Sequence, residues 1–453
     1  MTRKKFLIVG SGGRESAFAK KLAEDSIVSA VVDLENPTII DCVTSSGGEY
    51  IVGRSSDPET VLKFAQNNCV DYVFVSADEP LANGVVDRLL QNNIKAIGGT
   101  KEATRIEWDK IYSIEMMKKI FPNFTPFYTV VSVISAVEEA VKQFQEMNLQ
   151  VVVKPQGLTG GKGVKVMPEH LATYQDAIDY AVMLLREKPD EKVLLVEKLH
   201  GIEFTIMGIT DGKNLVLSPA SYDYPFRFEN DQGAGTGGMG CFTNSAKKLP
   251  FMTDEDLNSC QHIMQGIIDE MRAKGLVFNG VLNGGFFLTN QGIKFMEFNG
   301  RFGDPEGLNV LTVLKGSFSS LLESIWNQDL SEDKVEFIKK ASVIKYLVAK
   351  EYPYESPTPI TFTLNENAIK DLGLNVFFAA CVKTGENQYQ TLKKSRVVAI
   401  GATSDEIEDA ATKIDEAIAR HVGGDLEYRK DIGSKQYLEK LTRFSEKLRE
   451  KAV

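Results

Sequence analysis

The sequence predicts an α/β protein that begins with a doubly wound parallel sheet and ends with a small α+β domain. Short apolar runs alternate with helical patterns over residues 1–105. A glycine-rich hairpin lies between two β-branched runs at 151–166, and after about residue 335 the chain returns to strand patterns and one long amphipathic helix. Alternating β and α units favour a parallel sheet, whereas clustered strands followed by a helix favour an α+β domain.

The composition is that of a globular protein with several domains. The chain has 453 residues, 43% hydrophobic and 25% charged, and this length suits about three domains. The formal net charge of −10 disfavours non-specific nucleic-acid binding, because affinity for phosphate backbones requires clustered Lys and Arg. The apolar run at the N-terminus is too short for a signal peptide, and no later run approaches a membrane span. We therefore expect a cytoplasmic protein without nucleic-acid or membrane partners.

The five cysteines and four histidines are scattered along the chain. The cysteines are odd in number and form no CxxC pair, which is typical of free thiols in a reducing compartment. The scattered histidines disfavour a His-based metal site or catalytic dyad.

The first region is predicted to contain four parallel strands with right-handed crossovers. The strands are expected at 6–9, 28–32, 72–75 and 94–97, with helices at 57–67 and 81–92. A helical stretch at 101–125 ends near two prolines and marks a domain boundary. Ligands of such a sheet bind beyond the carboxyl ends of its strands.

The turn after the first strand, GSGGRE at 10–15, suits a phosphate. It is close to the dinucleotide fingerprint, and Asp33 lies about where that fingerprint has its acidic residue, but Glu15 replaces the third glycine. A nicotinamide cofactor is therefore disfavoured. Gly12, Gly13 and Arg14 at a helix N-terminus still suit a single phosphate, and the alternative is a tight turn without a ligand.

Polar residues also follow the later strands of this sheet. Asp78 and Glu79 come after one strand, and Gly98-Gly99-Thr100 come after the next. The two acids suit binding of hydroxyl groups, or alternatively they stabilise a helix N-terminus through its dipole.

The hairpin at 151–166, VVVKPQGLTGGKGVKV, predicts a polyphosphate site. Four glycines surround Lys162, so backbone N–H groups can converge on an anion while Lys154 and Lys162 supply positive charge. The spacing excludes a P-loop, since Gly163 follows the lysine where Ser or Thr is required. A glycine hairpin without a ligand is the alternative.

Two further segments carry candidate chemistry. The stretch 223–240 is polar and glycine-rich, which indicates a binding loop or disorder. In the strand 294–299, alternation places Glu297 and Asn299 on one face and Met296 and Phe298 on the other. Two oxygen ligands at i and i+2 suit Mg²⁺, and Arg301 suits a carboxylate or phosphoryl group. The alternatives are a half-buried strand with one polar face and a surface salt bridge.

Taken together in order, these motifs resemble the ATP-grasp enzymes and, more closely, the glycinamide ribonucleotide synthetase family. The resemblance covers nearly the whole chain. The strings that carry it are GSGGRE at 10–15, KPQGLTGGKGVKV at 154–166, TGGMG at 236–240, EFNGRFGDPE at 297–306 and RKDIG at 429–433.

The resemblance implies three domains: 1–105, an ATP-grasp domain at 106–335 with two α+β subdomains, and 336–453. Residues 126–195 would form a mobile flap over ATP. The nucleotide would be bound by Lys154, Gly160, Gly161, Lys162, Gly163, Glu197 and Glu203. The metal ion, Mg²⁺ or Mn²⁺, would be held by Glu297 and Asn299. The catalytic residues would be Arg301, Lys162 and Asp304. The other substrates would meet Gly12, Gly13, Arg14, Asp78, Thr236, Gly237, Gly238 and Arg301.

In this family the glycine carboxylate attacks the γ-phosphate of ATP, and the amine of phosphoribosylamine then displaces phosphate from the glycyl phosphate. The expected partners are these small molecules, with the chain a monomer or small homo-oligomer. Such a mechanism needs positioning and charge neutralisation rather than a side-chain nucleophile.

The sequence departs from the family pattern at four places. Ser16 replaces a histidine, 76–80 reads SADEP for Gly-Pro-Glu-Ala-Pro, Gly98-Gly99-Thr100 replaces Gly-Pro-Thr, and Ala234-Gly235 replaces Pro-Asn. Three of the four lie in the first domain, where the ribosyl phosphate is expected. Two alternatives therefore stay open: a ligase for another amine and carboxylate, and a non-catalytic nucleotide-binding paralogue. The presence of Glu297, Asn299 and Arg301 counts against the paralogue.

Overall fold

The computed structural model describes residues 3–157, 163–392 and 394–450. Gly160, Gly161 and Lys162, predicted to contact phosphates, lie outside the described residues. Within the described chain, no helix has the length and apolar character needed to cross a membrane.

The N-terminal region is the predicted doubly wound sheet. Its strands lie in the order β3-β2-β1-β4-β5 and are all parallel. Its elements are β1 (Lys5–Val9), α1 (Gly13–Ala23), β2 (Ile27–Val32), α2 (Pro37–Ser46), β3 (Tyr50–Val52), α3 (Pro58–Asn67), β4 (Tyr72–Val75), α4 (Asp78–Ala82), α5 (Val85–Gln91), β5 (Ala96–Gly99), α6 (Arg105–Trp108) and α7 (Lys110–Ile120). The α1 and α2 helices pack on one face, and α3 and α5 pack on the other.

Several boundaries in this region differ from the prediction. The strand β3 and the helix α2 were not predicted. The predicted helix 81–92 is interrupted at Gly84, which has a φ of 80°. The predicted helix 101–125 is divided in two, because the Asp109 side chain accepts from the Tyr112 N–H and starts a new helix at Lys110.

The region that contains the glycine hairpin is a separate antiparallel sheet in the order β6-β9-β7-β8. Its elements are β6 (Tyr128–Val131), α8 (Val137–Glu146), β7 (Val151–Pro155), β8 (Lys165–Val166), α9 (Tyr174–Glu187) and β9 (Val193–Glu197). The two helices cover one face and form a core of their own with the sheet. The strands that flank the glycine segment pair as predicted.

The following elements contribute six strands to a 14-stranded sheet and also form two separate two-stranded sheets, β13-β14 and β18-β19. They are β10 (Gly201–Thr210), β11 (Leu215–Leu217), β12 (Ser221–Asp223), β13 (Phe226–Phe228), β14 (Gln232–Gly235), β15 (Gly240–Thr243), α10 (Asp254–Ala273), β16 (Phe278–Thr289), β17 (Gly292–Asn299), α11 (Glu306–Val313), β18 (Leu314–Lys315), α12 (Phe318–Asn327) and β19 (Glu336–Phe337). The strand β16 pairs first with β5 and then with β10 and β17, so it joins the parallel and antiparallel parts. The stretch 223–240 is an ordered loop that contains the β13–β14 hairpin.

The C-terminal strands extend the same sheet. The elements are β20 (Ala341–Leu347), β21 (Thr361–Leu364), α13 (Glu366–Asp371), β22 (Asn375–Phe378), β23 (Cys381–Gly385), β24 (Gln388–Thr391), β25 (Val398–Ser404), α14 (Ile407–His421), β26 (Val422–Gly423) and α15 (Lys435–Glu450). The strand β20 pairs with β15, and β25 and β22 follow it. The apolar pattern of 376–382 predicts one strand, but the structure has two strands there in different sheets, with the break at 379–380.

The strand β17 departs from strict alternation. The pairing register with β16 shifts between Gly285 and Phe286, which leaves Met296 as an extra residue. Phe295 and Phe298 consequently contact each other in the core, with ring centroids 4.7 Å apart, and the prediction that Met296 and Phe298 share a face is wrong. Glu297 and Asn299 do lie side by side, as the amide of Asn299 donates to Glu297 Oε1 at 3.3 Å.

Candidate active site

A narrow cavity lies between the two sheets. One wall is the hairpin sheet, with Lys154, Leu194 and Val196, and the opposite wall is β17. The α6 and α7 helices close the end, where Glu107 and Lys110 line the cavity. The cavity therefore has apolar sides and a few charged groups that converge at one end, as expected of a ligand site.

Lys110, which the sequence analysis missed, lies beside the predicted Lys154. Its Nζ donates to the Gly157 carbonyl at 2.6 Å, next to the glycine segment. Burial lowers the pKa of Lys110, and Lys154 acts in the same direction, whereas the negative charge of Glu297 opposes the shift. No spacing in the sequence distinguishes Lys110 from the other lysines of α7; only the fold brings it to Lys154.

The two predicted nucleotide carboxylates follow this cavity along the chain. Glu197 ends β9, and its N–H donates to the Phe127 carbonyl at 2.9 Å. Glu203 lies on β10 with its side chain open to water. Partial desolvation and the nearby Glu297 raise the pKa of Glu203 to about 7, although Lys154 opposes the shift.

The donor set of β17 fits a hard divalent cation. Glu297 and Asn299 present oxygen atoms on one face, and Asn283 lies directly opposite Asn299 on β16. The buried Oδ1 of Asn283 has no hydrogen-bond partner in the described residues. No cluster of three or more His, Cys, Asp or Glu suited to a metal is present there either. These residues suit an ion that takes few protein oxygens and completes its shell with water and phosphate.

A second group of charges lies at the carboxyl ends of the parallel strands. Arg14 bonds Glu15 at 2.8 Å and lies 3.6 Å from Asp78, while Arg301 lies 3.2 Å from Glu107 and 3.9 Å from Asp78. Burial of Asp78 opposes its ionisation, but the charges of Arg301 and Arg14 outweigh burial and lower its pKa to about 2. The fold thus brings together the predicted residues Arg14, Asp78 and Arg301.

Asp304 takes part in a neighbouring network that reaches the C-terminal region. Its Oδ1 accepts from the Tyr346 hydroxyl at 2.7 Å and lies 3.3 Å from Arg396. A side chain at Gly13 would meet the Tyr346 hydroxyl, so the glycine loop fits closely against it. The sequence analysis missed both Tyr346 and Arg396, because neither belongs to a recognised motif.

Arg396 fixes the segment that contains the predicted residues Gly237 and Gly238. Its guanidinium donates to the Gly237 carbonyl at 2.5 Å, to the Gly238 carbonyl at 3.1 Å and to the Asp304 carbonyl at 2.8 Å. Thr236 is used within the same turn, since its hydroxyl donates to the Pro225 carbonyl and accepts from the Gly238 N–H. Thr236 therefore orders the turn through its side chain.

Two carboxylates beside this segment lack a strong partner. Oδ1 of Asp223 is buried without a hydrogen bond in the described residues, and the Thr205 hydroxyl donates to Glu306 Oε1 over a long distance of 3.4 Å. Burial raises the pKa of Asp223 well above its usual value, and the charge of Glu306 adds to the shift. Burial likewise raises the pKa of Glu306. Neither residue was predicted.

Most of the family departures in the first domain face packed structure. Ser16 is fully buried, and its hydroxyl lies 2.5 Å from the Phe378 carbonyl and 3.1 Å from Asn36 Oδ1. Gly98 and Gly99 pair with β16. Asp33, the acidic residue of the dinucleotide-like pattern and not one of the departures, accepts from the Ser55 N–H at 3.0 Å, a loop contact. Among these positions Asp78 alone belongs to the charge cluster described above.

Family models and individual relatives identify the same family for this chain. Three family models match: phosphoribosylglycinamide synthetase N domain at 4–107, ATP-grasp (A) domain at 109–307 and C domain at 342–435. A phosphoribosylamine–glycine ligase of Pyrococcus furiosus is 36% identical over 98% of both chains, and one of Methanothermobacter thermautotrophicus is 35% identical over 98% of this chain and 100% of the relative.

Solved structures share the fold. A phosphoribosylamine–glycine ligase of Thermotoga maritima aligns with a TM-score of 0.77 over 94% of this chain and 100% of its own, at 24% identity. A biotin carboxylase of Campylobacter jejuni aligns with a TM-score of 0.73 over 98% and 99%, at 14% identity. The chain therefore belongs to the phosphoribosylglycinamide synthetase family and has its three-domain architecture around an ATP-grasp core.

Proposed function

We propose that the protein is an ATP-dependent ligase that joins glycine to 5-phosphoribosylamine and gives glycinamide ribonucleotide, ADP and phosphate in purine biosynthesis. The observation that carries this proposal is the cavity between the sheets, where two lysines face a pair of oxygen ligands on the opposite wall. The two phosphoribosylamine–glycine ligases named above match this chain over nearly its whole length, which supports the proposal that this protein uses the same substrates.

ATP occupies the cavity between the hairpin sheet and β17. Lys110 and Lys154 neutralise its phosphates, the backbone near Glu197 meets the adenine, and Glu203 meets the ribose. Glu297 and Asn299 hold Mg²⁺ or Mn²⁺, which when bound neutralises charge on the phosphates. Gly160, Gly161, Lys162 and Gly163 complete the phosphate site, an assignment that rests on the family resemblance.

The reaction proceeds in two displacements. A carboxylate oxygen of glycine forms a bond to the γ-phosphorus, and the bond from that phosphorus to ADP breaks. The amine of phosphoribosylamine then attacks the carbonyl carbon of glycyl phosphate; phosphate leaves with the bonding electrons, and the nitrogen loses a proton. Arg301 and Lys162 stabilise the developing negative charge, and Asp304 holds the acceptor wall in place.

The charges at the strand ends form the acceptor side of the site. Gly12, Gly13 and Arg14 meet the ribosyl phosphate, and Asp78 meets a sugar hydroxyl. Asp223 and Glu306 favour an amino group, because two desolvated carboxylates without an ion pair among the described residues gain most from a cation. Gly237 and Gly238 form the adjacent backbone wall. This arrangement suits substrates that combine a phosphate with an amine.

The domain limits 1–105, 106–335 and 336–453, the cytoplasmic location and a monomer or small homo-oligomer complete the proposal. The five cysteines are free thiols, which suits a reducing compartment.

The test is a coupled measurement of ADP release. Purified protein with Mg-ATP should release ADP only when glycine and phosphoribosylamine, formed in situ from ribose 5-phosphate and ammonia, are both present. Mass spectrometry should identify glycinamide ribonucleotide. Tight ATP binding without turnover, or a product only from another amine or carboxylate, would contradict the assignment.

A further inference from the structure

The RKDIG segment, Arg429–Gly433, has no part in the site described above, yet it contacts the 223–240 loop throughout. The Arg429 side chain is 1% exposed although it carries a charge. Such complete burial requires that its donors be bonded. Its partners therefore show what the segment does.

Arg429 binds the first strand and the tip of the β13–β14 hairpin. It donates to the Phe226 carbonyl at 3.0 Å and to Asp231 Oδ1 at 3.1 Å. Asp431 holds the guanidinium from its other edge with bonds of 2.9 and 2.6 Å. The guanidinium also lies over the Tyr224 ring, 4.9 Å from its centroid. One side chain thus joins the first strand of the hairpin, the tip of the hairpin and Tyr224, which precedes the hairpin.

Other contacts join the 223–240 loop to the RKDIG segment and to the first turn of α15. The Tyr437 hydroxyl donates to Asp231 at 2.6 Å, and the Asn230 N–H donates to Asp431 at 3.0 Å. The Gly433 N–H donates to the Tyr224 hydroxyl at 3.0 Å. We call Arg429, Asp431, Asp231 and Tyr437 the Arg429 network.

The hairpin needs such support at its tip. Asn230 and Asp231 have φ values of 57° and 60°, and consecutive left-handed residues other than glycine cost conformational free energy. Both residues are bonded by the RKDIG segment, so these bonds offset the strain. Five residues after Asp231 the chain reaches Thr236, and Arg396 holds the next two residues, Gly237 and Gly238, from the side of the cleft.

We propose that Arg429 is a positioning residue, which fixes the β13–β14 hairpin from outside and thereby sets the acceptor wall at 236–238. This proposal rests on the proposed function for the identity of the acceptor substrates. The network does not touch the ATP cavity, so its loss should affect the acceptor substrates selectively.

The experiment compares Asp231→Asn and Arg429→Gln with the wild-type protein. Asp231→Asn keeps the shape of the tip and removes one charge, so it tests the proposal even where Arg429→Gln fails to fold. Arg443→Gln is the matched control, because Arg443 is an exposed arginine of α15 paired only with Glu439 among the described residues.

In Asp231→Asn and Arg429→Gln, we expect KM for glycine or phosphoribosylamine to rise about five-fold or more. KM for ATP should change less than about two-fold. Amide hydrogen exchange across 226–238 should become faster in Asp231→Asn and stay unchanged in Arg443→Gln. An equal rise in KM for ATP, or unchanged exchange across 226–238, would overturn the positioning role. Wild-type protein that forms no glycinamide ribonucleotide would refute the proposed function instead, while the exchange comparison would still decide the role of Arg429.

Discussion

The nucleotide half of the cleft and its acceptor half are assembled from different numbers of chain segments. The proposed nucleotide half is built from Lys154 on the hairpin sheet, Lys110 at the end of the cavity and the short string 297–299 on the opposite wall. The acceptor half joins the first turn of the chain, the strand-end acid Asp78, the segment 301–306 and Arg396 from the C-terminal region. A site built from one short segment can be recognised in the sequence as a motif. A site built from distant segments gives only weak local signals in the sequence.

The same difference explains where the family departures matter. Ser16, Gly98 and Gly99 face packed structure, so these substitutions are accommodated by the core. Asp78 has its charge within the cluster of Arg14 and Arg301, so we expect its shorter side chain to affect the proposed binding of the acceptor substrate. The comparison therefore predicts that damage to one half should change the kinetics of that half alone.

The largest expected effect is that of Glu297→Gln in the nucleotide half. This change removes a negative oxygen from the proposed metal site and should lower kcat by about 100-fold or more, while ATP still binds. The measurement is steady-state ADP release alongside equilibrium ATP binding. Lys294→Gln, on the same strand with its Nζ bonded to the Asn123 carbonyl, is the control and should keep near-normal turnover. Near-normal turnover of Glu297→Gln would contradict the metal role.

The next effect belongs to the acceptor half. Arg396→Gln removes charged hydrogen bonds to the carbonyls of Gly237 and Asp304, so KM for glycine and phosphoribosylamine should rise about 10- to 100-fold. KM for ATP should stay within about two-fold. Initial-rate kinetics with each substrate varied in turn provide the check, and a matching rise for ATP would show that the two halves are not separable.

Lys110→Ala tests the nucleotide half at a residue that carries no motif. Loss of a charged donor to phosphate should raise KM for ATP about 10-fold and leave the KM values of the acceptor substrates nearly unchanged. Lys118→Ala, in the same helix but outside the cavity lining, is the matched control. Unchanged ATP kinetics in Lys110→Ala would assign its contact with Gly157 a purely structural role.

The smallest effect concerns stability. The raised pKa of Asp223 means that the folded state retains a proton at a pH where the unfolded chain has lost it. Stability then falls as pH rises above the unfolded pKa of about 4. The destabilisation caused by this carboxyl group is greatest above its folded pKa. Asp223→Asn should therefore raise Tm by about 1–3 °C at pH 8, less at pH 5, and raise KM for glycine.

Thermal unfolding at the two pH values tests this trade between stability and binding. Asp223→Glu keeps the charge and should not raise Tm at pH 8. A lower Tm in Asp223→Asn at pH 8 would show that the carboxylate has a compensating partner.

Sequence patterns predicted the parallel sheet and the strands on both sides of the glycine hairpin, because their apolar runs and glycines are local signals. They missed β3, which is three residues long and depends on pairing with β2. They also missed the bulge at Met296, since register is decided by the partner strand. Arg396 and Lys110 were not predicted, because their contacts in the cleft form only when distant segments of the chain meet. The predicted roles of the glycine segment stay predictions.

The strand β16 has a consequence for how binding energy is distributed. Because it pairs with β5 at one end and with β10 and β17 along the rest, the parallel strands whose carboxyl ends lie beside Arg14 and Asp78 belong to the same continuous sheet as β17, the proposed metal-binding strand. The hairpin sheet is a separate four-stranded sheet. We expect any closing motion to be a displacement of the hairpin sheet alone against a stationary frame. The free-energy cost of closing then falls on the affinity for ATP, whereas the acceptor substrates dock against a surface that is already in place.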